Sequence, residues 1–185
     1  MKGNWFVFSC WIFLSMTISV QAGDFSVSSP QLAAGGKLKN EQLLNGFGCQ
    51  GENISPELHW QNGPENTKSY AVTVYDPDAP TGSGWWHWVI FNIPPQTTGL
   101  AKNAGDRQAG LAPRESVQSR TDFGTAGYGG ACPPQGDKVH RYIFSVYALD
   151  VEQLELDKDA TAAMVGFFIG RHTIAKTQLM VNYSR

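Results

Sequence analysis

Asp76, His87, His140 and Tyr142 are the residues whose types suit them to grip a small polar ligand. A phosphate or carboxylate offers acceptor oxygens and negative charge. A site for it needs donors: imidazole N–H groups, a phenolic hydroxyl and free backbone N–H groups, which the glycine-rich run 129–136 is expected to supply. Asp76 has the wrong sign for an anion. Its expected task is to accept a hydrogen bond from an imidazole, fixing the tautomer and favouring the charged ring. On this reading affinity falls as pH rises through the imidazole pKa, about 6.5 when unperturbed.

Other chemistries fit less well. Two histidines and one or two aspartates suit a metal, but they are dispersed and no close ligand pair such as Cys-x-x-Cys accompanies them. Ser55, Ser83 and Ser119 are available to a Ser-His-Asp hydrolase, yet no Gly-x-Ser-x-Gly turn exists. The run from Gly46 to Gly51 formally matches the dinucleotide fingerprint, but no convincing strand precedes it and Asn53-Ile54-Ser55-Pro56 cannot open the required helix cleanly. No catalytic residue, metal ligand or cofactor is therefore assigned. His59 and His172 stand outside any constellation.

The elements that must position these groups are strands. The runs 70–76, 87–93 and 140–149 are rich in β-branched and aromatic residues and should be central strands; 25–27, 58–60 and 117–123 are shorter candidates. Strand alternation puts Asp76 on the face of Val74, Val72 and Tyr70, His140 on that of Tyr142, Phe144 and Val146, and His87 on that of Val89, Phe91 and Ile93. Asp76 ends one strand and His87 begins the next, so an antiparallel pair joined through 77–86 brings both to one edge. If His140 starts a neighbouring strand there, the groups converge on a pocket rimmed by Trp85, Trp86 and Pro133-Pro134. Near the end, Ala160, Ala163, Met164, Phe167 and Phe168 recur at helical spacing after Asp157 and Asp159, which can cap the helix, and 174–183 reads as a last strand. The order predicts a mainly β protein, an antiparallel β-sandwich with a few peripheral helices. The long, glycine- and proline-rich stretch 94–139 is of a size that is usually functional or mobile.

The 185 residues make about one domain. Lys2 is the only charge before Asp24, and the apolar stretch 5–20 is followed by Val20-Gln21-Ala22, the pattern of a secretory signal peptide cut after Ala22. Its sixteen uncharged residues fall short of the ~20 that span a bilayer. The expected organisation is a leader over 1–22 and a single domain over 23–185, periplasmic or secreted, with no integral membrane segment. The mature charge is 13 basic minus 16 acidic residues, or −3, which offers no field to hold nucleic acid. Removing the leader removes Cys10 and leaves Cys49 and Cys132, which in an oxidising compartment either pair or remain two separate buried thiols.

At the candidate residues the sequence resembles the phosphatidylethanolamine-binding protein family, in its bacterial Raf kinase inhibitor-like branch, YbhB/YbcL. Two signatures carry the resemblance: Tyr75-Asp76-Pro77-Asp78-Ala79-Pro80 running to Gly84-Trp85-Trp86-His87-Trp88-Val89, and Tyr128-Gly129-Gly130-Ala131-Cys132-Pro133-Pro134-Gln135-Gly136 running to His140-Arg141-Tyr142. Ser55-Pro56 and Thr121-Asp122-Phe123-Gly124 add to it. The resemblance implies a β-sandwich with a small anion pocket for phosphate, phosphorylated head groups or acetate. It implies Asp76, His87, Pro134, His140 and Tyr142 as pocket residues, with Asp78 and Asp122 in support; Trp86 is added from the rim. Cys132 stands where many animal and plant members carry Gly, so a disulfide to Cys49 would fix the pocket wall here.

The expected function is an exported small-anion binding module with a regulatory or inhibitory role. Two alternatives remain: a protein-interaction module that recognises an acidic or phosphorylated side chain of a partner, and a phospho- or acyl-ester hydrolase. Bacterial relatives suggest a homodimer.

Overall fold

The computed structural model describes Met1 and residues 23–185. The expected leader lies outside the described residues. In chain order the elements are β1 (Ser26–Ser28), β2 (Asn45–Gly46), β3 (Cys49–Gln50), β4 (Leu58–Gln61), β5 (Ser69–Asp76), β6 (Trp85–Ile93), β7 (Gly99–Leu100), β8 (Val117–Gln118), β9 (His140–Leu149), α1 (Ala162–His172) and β10 (Thr173–Tyr183). A single-turn 3-10 helix spans Asn40–Gln42.

The alternating runs pair as antiparallel strands. A five-stranded sheet has the order β10-β9-β5-β6-β8, and a three-stranded sheet the order β1-β4-β7. Between them lies the main core, where Val72 and Val74 of β5 and Phe144 and Val146 of β9 meet Leu58 and Trp60 of β4. On the outer face of the large sheet Ala71, Val89 and Phe91 pack against Ala162, Val165 and Ile169 of α1. The architecture is the expected antiparallel β-sandwich, with α1 as its peripheral α-helix. Among the described residues no helix is long and apolar enough to cross a membrane.

Two irregularities in the β5–β6 pairing alter the expected faces. Val74 pairs with Trp88 while Tyr75 pairs with Trp86, so His87 is an extra residue in β6. A bulge of this kind leaves one residue unpaired and re-aims its side chain. His87 therefore does not share a face with Val89 and Phe91: those pack against α1, whereas His87 meets Tyr142 in the sandwich. A second slip between Tyr70↔Ile93 and Val72↔Ile90 returns Ile93 to the sandwich core. Asn92, with φ 57°, sits in that slip, where its side chain donates to the Leu154 carbonyl and accepts from the Leu154 N–H.

The helix differs in detail. Its cap is Thr161, whose Oγ1 accepts from the Met164 N–H at 3.2 Å, while Asp157 closes the turn before it by accepting from Asp159 N. The buried row is Ala162, Val165 and Ile169; of the residues noted for helical spacing, Ala160 and Phe168 are partly buried against the same cluster while Met164 and Phe167 are 50% and 61% exposed. α1 is apolar on more than one side, and spacing alone does not select between two such rows. The expected strand 117–123 stops at Gln118, because Arg120 N turns to the Lys158 carbonyl and Thr121 N to that of Thr125.

Candidate functional site

The bottom of the site is an ion pair at the edge where β5 ends and β9 begins. These strands run antiparallel with Tyr75 opposite Ile143, which brings Asp76 to His140. His140 Nδ1 donates to Asp76 Oδ2 at 2.7 Å and Nε2 donates to Asp137 Oδ2 at 3.2 Å. Burial works against charge on this ring, but the bonds and charges of Asp76 and Asp137 outweigh it and hold its pKa above the ordinary histidine value. The Asp137 carboxyl is in turn held low, chiefly by the His140 bond. Asp76 also closes its turn, its Oδ1 accepting from Asp78 N at 2.8 Å.

His87 is placed differently. Its Nδ1–H donates to the Gly129 carbonyl at 2.8 Å. Loss of solvent pushes its pKa below the ordinary value, against the Gly129 carbonyl and the Asp76 charge, which both favour the proton. The ring is thus neutral near pH 7, with Nε2 as an acceptor. It packs edge-on to Tyr142, at 5.1 Å between centroids, and to Phe123, at 5.4 Å. The expected picture of two imidazoles donating to an anion is corrected: both His140 N–H groups serve carboxylates, and that of His87 serves a carbonyl.

Four amides of the loop 129–136 are engaged as well. Gly129 N donates to the His87 carbonyl, Gly130 N to Asn53 Oδ1, Ala131 N to the Gln42 carbonyl and Gly136 N to the Arg185 carbonyl. The loop contributes a carbonyl and two prolines. Asn53, which the sequence reading did not single out, holds it from both sides by also donating to the Tyr128 carbonyl at 3.1 Å.

Above these groups opens a cavity of about 200 Å³. Its polar lining is Asp76, Thr81, His87, His140 and Tyr142; its apolar walls include Phe47, Trp85, Phe123, Pro133 and Pro134. Two lining donors are buried without a partner, the Trp85 Nε1–H and the Tyr142 hydroxyl. Burial and the Asp76 charge raise the Tyr142 pKa, so its proton stays in place. Cys49 and Cys132, with Cα atoms 6.0 Å apart, are joined by a disulfide that ties the β2–β3 hairpin to the proline wall. At the hairpin tip, Phe47 stacks on Phe123 with centroids 6.0 Å apart.

Asp76, His87, Pro134, His140 and Tyr142 thus come together, while three residues stand outside the lining. Asp78 holds the 77–84 turn against β9, taking two bonds from the Arg141 guanidinium and one from its backbone N–H. The guanidinium bond, with the charges of Arg141 and Lys138, holds the Asp78 carboxyl well below the usual range. Asp122 Oδ2 accepts from Trp86 N at 2.8 Å, beside the bulge. The Trp86 ring lies beside Tyr75 and faces Gly166 of α1, because the bulge sends Trp86 and His87 to opposite faces of the sheet. Phe47, Phe123 and Asp137 escaped the sequence reading; Asp137, three residues before His140, was the most findable.

Known proteins are similar to this chain along most of its length. A family model described as phosphatidylethanolamine-binding protein matches residues 28–184. YbcL of Escherichia coli K12 is 49% identical over 168 residues, 91% of this chain and 92% of YbcL. YbhB of the same organism is 48% identical over 156 residues, 84% of this chain and 98% of YbhB. The crystal structure of E. coli YbcL superposes with a TM-score of 0.86 at 48% identity, covering 88% of this chain and 99% of that one. With the model match covering most of its length, the chain belongs to the phosphatidylethanolamine-binding protein family.

Proposed function

We propose that the protein is an exported binding module whose cavity takes a small phosphate- or carboxylate-bearing ligand together with a proton, in a regulatory or inhibitory role. The observation that carries this reading is the pair of unpartnered buried donors on the cavity lining, Trp85 Nε1–H and Tyr142 Oη–H. A buried donor without a partner costs about 1–3 kcal/mol, so two on one lining favour an acceptor-rich ligand. His87 Nε2, an acceptor in the neutral ring, takes the accompanying proton or a hydrogen bond from a protonated ligand oxygen. Either way one proton sits between ring and ligand.

The cavity volume of about 200 Å³ is below the ~300–1,000 Å³ of drug-sized pockets and suits a head group. Binding rather than turnover is supported by the lining, from which Ser55, Ser83 and Ser119 are absent and on which three other reactive groups are engaged. The Thr81 hydroxyl donates to the Gly84 carbonyl, Cys132 is joined to Cys49, and Asp76 is held by His140 and the Asp78 amide. The family model that matches is described as a binding protein, which points the same way. The apolar leader with its small residues before position 23 supports export.

Calorimetric titration with inorganic phosphate and with acetate tests the site. Saturable binding is expected, stronger in acid than in alkaline buffer and lost in Tyr142→Phe. Absence of saturable binding of both anions by the folded protein across the pH range overturns the reading. For export, N-terminal sequencing of the exported protein should begin at Gly23, and a start at Met1 overturns it.

A further inference from the structure

The outer face of the large sheet carries a second groove, of about 530 Å³, between α1 and strands β5, β6 and β9. The bulge that sends His87 into the cavity sends Trp86 to this side, so the two sites lie on opposite faces. On the α1 side the wall is formed by Ala163, Gly166 and Gly170 beside the buried Ile169. A glycine inside a helix costs roughly 0.5–1 kcal/mol relative to alanine. Packing does not require either one. A Cβ on Gly170 would meet nothing within 4 Å, and one on Gly166 only the Trp86 ring at 3.7 Å.

Thr73 is a second, independent observation. The residue is 2% exposed, lines the groove, and its Oγ1 has no hydrogen-bond partner. The remaining chemistry defines a ligand class. Tyr75, Trp86 and Tyr147 supply aromatic rings, and Asp122 supplies a carboxylate whose Oδ2 serves Trp86 N while Oδ1 has no hydrogen-bond partner among the described residues. Ring faces attract cations, and one here already does so: Lys176 Nζ lies 5.1 Å over the Tyr147 centroid.

We propose that this groove binds a small organic cation, an alkyl- or quaternary ammonium, with its charge over the aromatic rings and toward Asp122 and a polar arm on the Thr73 hydroxyl. The helix glycines leave the room that this ligand fills. The site is separate from the anion cavity and does not depend on that reading.

Tetramethylammonium and its uncharged isostere tert-butanol are the probes, titrated into the full folded protein and followed by amide and indole NMR shifts. The expected result is saturable shifts at Gly166, Gly170 and the Trp86 indole with tetramethylammonium and none with tert-butanol. Gly170→Leu, which fills the open space, should abolish them. Asp122→Asn should weaken binding about tenfold, and His87→Ala should leave it unchanged. Equal responses to both probes, no saturable shift, or undiminished binding in both Gly170→Leu and Asp122→Asn would overturn the proposal.

Discussion

The His87 ring and the Gly129 carbonyl are joined by a 2.8 Å hydrogen bond in which Nδ1 must carry the proton. That bond leaves Nε2 as the free nitrogen, and enclosure keeps the ring neutral at ordinary pH by lowering its pKa. A negatively charged ligand therefore brings its own proton or waits for one.

Phosphate and acetate affinity should accordingly rise on acidification through neutral pH and level off only below the lowered pKa of the free His87 ring. Calorimetry at several pH values in buffers of different ionisation enthalpy measures the proton taken up, and a value approaching one is expected in neutral solution. His87→Gln, which cannot titrate, should flatten the profile. A profile unchanged by that substitution would place the proton elsewhere.

His140 should affect stability with the opposite sign to His87. Its folded pKa is raised above the unfolded value, so the pair with Asp76 and Asp137 stabilises fully below about pH 6.5 and loses this contribution as pH rises through the folded pKa. His87 has a lowered folded pKa, so its contribution is present above about pH 6.5 and is lost as pH falls toward the folded value. Urea unfolding of wild type and His140→Gln should show a difference that is largest in mild acid and narrows in alkaline solution. A difference that widens in alkali would contradict the charged assignment of His140.

Much of this was legible in the sequence, and the exceptions share a cause. Alternation located β5, β6 and β9 and brought Asp76 and His140 to one edge, because side-chain period and antiparallel pairing are local consequences of residue type. Alternation fails at His87 and Ile93, where one inserted residue reverses the faces; nothing in Trp85-Trp86-His87 announces the bulge. Helical spacing likewise found α1 but not its buried row, since the covering sheet, not the helix, decides that Val165 and Ile169 are covered while Met164 and Phe167 are exposed. Of the donors expected in 129–136, the amides of Gly129, Gly130, Ala131 and Gly136 are engaged, because each finds a partner far away in the chain, such as Asn53 or Arg185.

Phe47 occupies a position that favours a smaller residue. The hairpin loop between β2 and β3 is two residues long, with φ 52° at Phe47 and 82° at Gly48, the pattern of a type I′ turn. A non-glycine residue in this region carries a penalty of roughly 1–2 kcal/mol, which asparagine tolerates better. Its ring is 70% exposed and stacks only at the cavity mouth, so its placement serves the cavity more than the fold. Phe47→Asn should leave stability equal or raise it by up to about 1 kcal/mol while weakening anion binding. Urea unfolding and calorimetry on the same variant check both halves. A clearly destabilised variant with unchanged binding would mean the ring is structural.

The Cys49–Cys132 bridge closes a span of 83 residues, for which the chain-entropy argument gives a stabilisation on the order of 4 kcal/mol. Replacing both cysteines by alanine should lower the urea midpoint accordingly. The effect on binding should be smaller than that on stability, because a second tie holds the same wall: Arg185 Nε donates to the Pro133 carbonyl at 2.7 Å, and Nη2 reaches the Phe47 carbonyl at 3.4 Å. Arg185→Ala alone should therefore be mild in the bridged protein and severe in the double alanine background. A double-mutant cycle on phosphate affinity measures that coupling. Strict additivity would mean that bridge and guanidinium hold independent parts of the cavity, and the shared-wall explanation would be wrong.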